Sequence, residues 1–253
     1  KGSSGPTRHF DLAKELVKGN HQVTIFASSF DHQTRQEKHI FDATVKFIRE
    51  VHEGVTFVWV KTTPYQKNDW RRVLNMLSYT WRAYRTASKM NEKPDIVIGS
   101  LMHPFAALLG YFMAKKKGCK FYFEERDLWP QTLIDLGKVS EKNPIVLILS
   151  WLELFLYKKA DKIIVLFDKA VDYVEKRGIH REKVICLPNG VDLGRYEVPD
   201  PMLPADIDRV LKELEDKFIA VYTGAHGLAN NLDVLLDAAG LLKNKNDKIH
   251  FLL

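Results

Sequence analysis

The sequence predicts an α/β protein built from doubly wound parallel sheets, and three observations carry that prediction. Short, continuously apolar stretches alternate with helical stretches as far as residue 190. Those stretches lack the in-out alternation of a sheet with one wet face, so their sheet is expected to be parallel and covered by helices on both sides. Then EVPDPMLPAD (197–206) brings three prolines, and a fresh β-α-β rhythm starts behind it.

Each element has its own signal. DLAKELVKG reads as an amphipathic helix with Leu12, Leu16 and Val17 on one side. QVTIFASS (22–29) and VTFVWVKT (55–62) read as strands. Residues 30–54 between them are polar and poorly periodic, and are expected to form a long loop. A helix from about Trp70 to Met90 ends before Asn91-Glu92-Lys93-Pro94. DIVIGS (95–100) is a strand, and PFAALLGYFMAKKKG (104–118) is a helix that opens on Pro and closes on Gly. KFYFEERD is the next strand, PIVLILSWLELFLYKKA a helix whose apolar stretch 144–157 reads as core, and KIIVLF (162–167) a strand. DKAVDYVEKRG (helix) and KVICLPNG (183–190, strand and turn) complete a first domain, 1–190, that opens on a turn and helix as though its first strand were missing. Residues 191–216 read as a connection carrying the charged helix DIDRVLKELEDK, and 217–253 as the start of a second domain. A unit with only KFIAVYTG and KIHFLL as strands has little to pack on, so that domain is expected to be incomplete.

The bulk composition narrows the function. The chain is 45% apolar and 28% charged, with no stretch near the ~18 apolar residues a spanning helix needs. Cys119 and Cys186 each lie in or beside an apolar run and read as small buried hydrophobes in a reducing compartment. No thiolate or paired-His pattern calls for a metal. The net charge of +6 favours anionic partners: nucleic acid, a membrane surface or phosphorylated small molecules. Nucleic acid is disfavoured, because clustered aromatics and cations occur on one helix only and no recognised module accompanies them.

In a parallel α/β sheet, ligands bind beyond the carboxyl ends of the strands. FEERDLWPQTLIDLG (123–137) leaves one such end and sets Glu124, Glu125, Arg126 and Asp127 in succession. The bland reading is a rim salt bridge; the functional one is a platform of carboxylates beside a guanidinium that holds a hydroxyl and tunes a base. His103 in GSLMHP stands at another strand end, as a helix cap or as a base. Two turns, GSSGPTRH and YTGAHGLANN (222–231), place small residues before a helix, where backbone N–H groups and the helix dipole favour a phosphate. The helix 70–90 interleaves Arg71, Arg72, Arg82 and Arg85 with Trp70, Tyr79, Trp81 and Tyr84, which suits either a membrane interface or an ordinary half-buried helix.

GPTRHFDLAKELVKGNHQVTIFASS, PDIVIGSLMHP, FEERDLWPQTLIDLG, KADKIIVLF, LPNGVDLGRY and YTGAHGLANNLDVLLDAA occur in that order, and together the chain resembles a family 4 glycosyltransferase of the GT-B fold. The likeness is strongest to the bacterial cell-surface branch that includes N-acetyl-fucosamine transferases. It implies two Rossmann-like domains facing a cleft, the first for the acceptor and the second for a nucleotide sugar, favoured to be a UDP-sugar. It also implies transfer with retention, without metal or other cofactor, onto a lipid-linked or polysaccharide acceptor. The expected place is the cytoplasm, peripherally at the inner membrane face.

Site roles follow from the resemblance. Gly5, Thr7 and Arg8 would lie near the donor phosphates. Glu124, Glu125, Arg126 and Asp127 would stand near the sugar and acceptor hydroxyl, where relatives often carry a His, with His103 as the alternative base. Gly224, His226 and Gly227 would form the donor diphosphate turn, and Arg71, Arg72, Trp81 and Arg82 the acceptor or membrane side. Two departures stand out: Ala225 and Asn230 occupy places where relatives carry Arg and Lys, and the two-glutamate donor motif would fall beyond Leu253. They leave room for a non-catalytic partner subunit, while the shared fold leaves room for a UDP-sugar 2-epimerase. The DLWPQTLIDLG stretch favours the transferase.

Overall fold

A computed structural model describes residues 8–39, 42, 44–137, 139–197, 202–224, 226–227, 230–243, 245 and 248–253. The chain divides into two compact units, Lys1–Val191 and Asp192–Leu253. The passage 191–216 thus falls almost wholly within the second unit.

In the first unit α1 (Arg8–Lys18) leads into β1 (Thr24–Ser28). The expected loop 30–54 contains structure instead, which corrects the sequence reading. A two-residue pair, β2 (Phe30–Asp31) and β3 (Gln36–Glu37), precedes β4 (Phe47–His52), which runs antiparallel to β5 (Val55–Val60). His52 pairs with Val55 across only two residues, Glu53 and Gly54, both at positive φ (48° and 80°), the requirement of a tight hairpin turn. Gly54 is also needed for space, because a Cβ there would stand 2.6 Å from Val17 Cγ1 on α1. FIREVH hid as a strand because it forms an edge: charged side chains are tolerated where one side of the ladder faces water. β5 also pairs in parallel with β1, so this sheet is mixed, in the order β1-β5-β4.

From there the expected rhythm runs through α2 (Trp70–Lys89), β6 (Ile96–Ser100), α3 (Pro104–Lys117), β7 (Lys120–Glu125), an additional short α4 (Gln131–Asp135) that the sequence reading did not place, α5 (Pro144–Lys159), β8 (Lys162–Val165), α6 (Asp168–Lys176) and β9 (Val184–Cys186). The four strands form a parallel sheet in the order β6-β7-β8-β9, each one step further along. Phe121, Phe123, Ile163 and Val165 project from it into a core closed by Ala107, Leu156, Tyr157, Ala170 and Val174 of α3, α5 and α6. Helix α5 is not uniformly core, a second correction. One stripe, with Val146, Glu153, Leu156 and Tyr157, is buried, while Ile145, Leu147, Ile148 and Trp151 face outward. The second unit contains α7 (Ala205–Glu213), β10 (Phe218–Val221), α8 (Asp233–Leu242) and β11 (Ile249–Leu252), with β10 and β11 parallel.

Helix ends obey local chemistry. His103 caps α3, Pro104 opens it, and Gly118 closes it at φ 67° in the left-handed region. Between those ends α3 touches the sheet through backbone. A Cβ on Gly110 would stand 2.6 Å from Gly99 Cα of β6, and one on Gly99 would meet Ala107 O at 2.9 Å. Neither neighbour is a flexible side chain that could step aside. Gly110→Ala is therefore expected to lower stability by about 1 to 3 kcal/mol despite alanine's better helix propensity. Urea unfolding of the variant against the parent protein measures it.

Candidate active site

The carboxyl ends of β6, β7 and β9 carry the polar cluster of the first unit. Strand alternation explains the run of charges that leaves β7. Side chains at successive positions point to opposite faces, so Phe121, Phe123 and Glu125 share one face, and Glu124 takes the other.

Glu124 is buried and doubly held. Its Oε1 accepts from Arg8 Nε at 3.0 Å, and its Oε2 lies 2.6 Å from His9 Nε2. Arg8 is buried too. It donates further to the carbonyls of Pro188 (2.8 Å) and Leu187 (2.9 Å) and to Asn189 Oδ1 (3.3 Å). One guanidinium thus ties the start of α1 to the ends of β7 and β9. Burial opposes ionisation of Glu124, but the bond and charge of His9 and the bond from Arg8 outweigh it, holding the carboxyl down to about 2.

Glu125 points into the core, where Tyr157 Oη donates to its carboxylate. Close by, Glu153 accepts from Tyr173 Oη (3.0 Å) and pairs with Arg177 Nη2 (3.0 Å). Burial, then the charge of Glu153, push the Glu125 carboxyl well up. The two adjacent glutamates are therefore pushed in opposite directions: Glu124 toward its anion under the rim, Glu125 toward its neutral acid inside the fold. Arg126 and Asp127 complete the run at the surface. Arg126 Nη1 approaches Met102 Sδ at 2.9 Å, and Asp127 is exposed, with its carbonyl accepting from Trp129 N (2.9 Å). A cis Trp129–Pro130 bond turns the chain away into α4.

His103 caps α3: its Nδ1 accepts from Ala106 N at 3.2 Å, and its ring stands edge-on to Tyr79. Burial, helped by the charge of Arg72, lowers its pKa to about 4, so the imidazole is neutral at physiological pH. On α2, Arg82 donates to Lys61 O (2.6 Å), whereas Arg71, Arg72 and Trp81 are exposed and Arg71 lies over the Trp70 ring. In the second unit Gly224 and His226 lie near Tyr222, whose hydroxyl would stand 2.7 Å from a Cβ on Gly224; Gly227 has open space around it. Gly5 and Thr7 lie outside the described residues.

The structure thus brings Arg8 and Glu124 together and sets Arg126 and Asp127 beyond them, with Glu125 on the opposite face of the strand. The residue sequence reasoning missed is His9. Its signal was its place beside Arg8 in GPTRH, at the opening of a helix aimed at the strand ends.

Comparison with known proteins gives this geometry a setting. The family described as Glycosyltransferase Family 4 matches residues 5–195. WcaI of Escherichia coli (strain K12), named for glycosyl transfer in colanic acid biosynthesis, is 22% identical over 201 residues, covering 76% of this chain and 49% of that protein. Crystal structures of Anabaena Alr3699/HepE with UDP and glucose, and with UDP-glucose, superpose at a TM-score of 0.51 with 13% and 12% identity, over 100% of this chain and 66% of HepE. The chain spans about half the length of the curated relative and about two thirds of HepE. At such identity the structural likeness concerns the fold alone, and that fold is GT-B.

The two glutamates should respond to pH with opposite sign. Glu124, ionised in the fold down to about 2, contributes stability that is present above its ordinary value of 4.5 and is lost as pH falls through 4.5 toward 2. Glu124→Gln should therefore cost about 3 to 5 kcal/mol at pH 7, by stranding buried Arg8, and the gap should narrow toward pH 2. Glu125, raised in the fold, contributes stability that is present below its ordinary value of 4.5 and is lost as pH rises. Glu125→Gln should accordingly gain on the parent protein from pH 5 to 8. Urea unfolding across pH 3–8 checks both slopes.

Proposed function

The chain belongs to Glycosyltransferase Family 4, and from that membership we propose that it transfers a sugar from a nucleotide-sugar donor to a glycan acceptor in cell-surface polysaccharide assembly. The donor is a UDP-sugar, a choice supported by the UDP and UDP-glucose bound in HepE, and an N-acetylated sugar fits the branch the sequence resembles. The acceptor is a lipid-linked or polysaccharide chain, and transfer proceeds with retention and without a metal.

One observation carries the site assignment: Glu124 holds Arg8 and His9 at the opening of α1, so that this helix start is fixed beside the strand ends. A helix start presents unpaired N–H groups and the positive end of its dipole, the arrangement that stabilises a departing diphosphate. Gly5 and Thr7, just before that helix, are assigned to the same phosphates. Asp127 and Arg126, at the surface end of β7, are assigned to the acceptor hydroxyl and the developing charge. Glu125 supports them from inside. His103, neutral and engaged as a cap, positions α3. Gly224, His226 and Gly227 are assigned to the donor turn of the second unit.

Thermal shift with UDP, GDP and ADP tests the donor class: a nucleotide at ~100 times its dissociation constant adds about 2.7 kcal/mol. UDP alone is expected to shift the transition, and no shift with any of the three would favour a non-catalytic subunit. Asp127→Asn should lower sugar transfer by about 100-fold or more with the melting temperature unchanged. Unchanged turnover would remove Asp127 from the site. Interconversion of UDP-sugars with no acceptor present would identify an epimerase.

A further inference from the structure

Helices α2, α3 and α5 are neighbours in one layer: Lys116 of α3 lies over the Tyr84 ring of α2, and Tyr111 of α3 meets Phe155 of α5 edge-on. Their charge is one-sided. The three helices contain a single carboxylate, Glu153, and it is buried in the core. They carry ten cations, of which Arg71, Arg72, Arg85, Lys89, Lys115, Lys116, Lys158 and Lys159 are exposed. The bias is local, for the next helix along, α6, carries Asp168, Asp172 and Glu175. Among the described residues, carboxylates return around the layer beyond the helix ends, at Asp69, Glu92, Asp95, Glu141 and Asp161.

The same layer exposes apolar side chains that globular packing does not require. On α5, Ile145, Leu147, Ile148 and Trp151 are each more than half exposed, at 66, 58, 64 and 66%. Trp151 stacks on Phe155, and Phe112 of α3 adds a half-exposed ring. On α2, Trp70, Val73, Leu77 and Trp81 form an exposed stripe at helical spacing. Exposed apolar surface of this extent marks a contact site. Here the helices supply Trp, Phe, Lys and Arg to it and, within their own spans, no exposed acid. That combination matches the headgroup region of an anionic bilayer, where aromatic rings settle at the interface and basic side chains meet lipid phosphates.

We propose that the α2–α3–α5 layer is a membrane-docking face, with the apolar ridge of α5 inserting into the interface of an anionic bilayer and the cations of α2, α3 and the end of α5 resting on lipid headgroups. Among the described residues no helix is long and apolar enough to cross a membrane, so the contact lies in the plane of the surface. The inference deepens the lipid-linked acceptor of the proposed function, but vesicle binding needs neither donor nor acceptor. Failure of docking and failure of transfer are therefore separately visible.

The test is flotation of the purified protein with phosphatidylcholine vesicles, with and without 30 mol % phosphatidylglycerol. Expected are at least tenfold tighter binding to the anionic vesicles, weakening in high salt as exposed charges are screened, and a further loss of tenfold or more in the double variant Ile148→Ser/Trp151→Ser. Val51→Ser, which alters an exposed apolar residue on edge strand β4, should bind as the parent protein does. Melting temperature confirms that the surface variants fold, and the vesicle and salt series stands without them. Equal binding to both vesicles, or an unaffected Ile148→Ser/Trp151→Ser protein, would overturn the proposal. So would a dimer without vesicle affinity that this double variant dissociates, since the face would then belong to a second copy of the chain.

Discussion

The fold of the first unit depends on a buried charge that cannot be left alone. Glu124 sits in the interior below the strand ends, and its two oxygens are satisfied by Arg8 and His9, 116 and 115 residues earlier in the chain. A carboxylate there without partners would cost several kcal/mol or take up a proton. Arg8 in turn requires the carbonyls of Leu187 and Pro188 to spend its remaining donors. Such a network is satisfied in one arrangement only, so it specifies where α1 stands relative to β7 and β9. A helix over a sheet is ordinarily fixed by apolar packing, which tolerates small slides. A forked guanidinium between a carboxylate and two carbonyls does not.

The neighbouring carboxyl shows the opposite solution to the same difficulty. Glu125 faces the core, where burial and then the repulsion of Glu153 favour its protonated form. Arg177 and Tyr173 serve Glu153, and Tyr157 bridges toward Glu125, so that α5 and α6 are joined to β7 by polar groups inside an otherwise apolar core. Two identical side chains, adjacent in sequence, are thereby separated by strand geometry, one driven toward its anion at the rim and the other toward its neutral acid in the scaffold.

Much of this was legible in the sequence. The parallel strands β6 to β9 and the helices between them follow from continuous apolar runs closed by Pro, Gly and Asn, signals that are local and strong. FEERD stood out as a candidate site because four charges gather at a strand exit, where a rim salt bridge was the competing reading. What escaped was what depends on partners distant in sequence. His9 has no periodic signature, and its role exists only because α1 is brought to β7. The division between Glu124 and Glu125 could have been read from the period of two in FYFEE, since Phe123 and Glu125 share a face. The strand Phe47–His52 was hidden by the charges an edge position allows. The outward face of α5 was hidden by its uniform hydrophobicity, which carries no phase from which to tell the buried side from the exposed one.

The contact between Gly110 and Gly99 has a mechanical side as well. Most helices stand off a sheet by the thickness of their side chains, so their height above it drifts as residues are exchanged and neighbours compensate. Here α3 rests on backbone, and its separation is fixed by covalent dimensions. Substitutions in the surrounding apolar residues can redistribute volume without lifting the helix. At this point the spacing between α3 and β6 is therefore set by backbone against backbone, and the volume of the side chains around it does not enter.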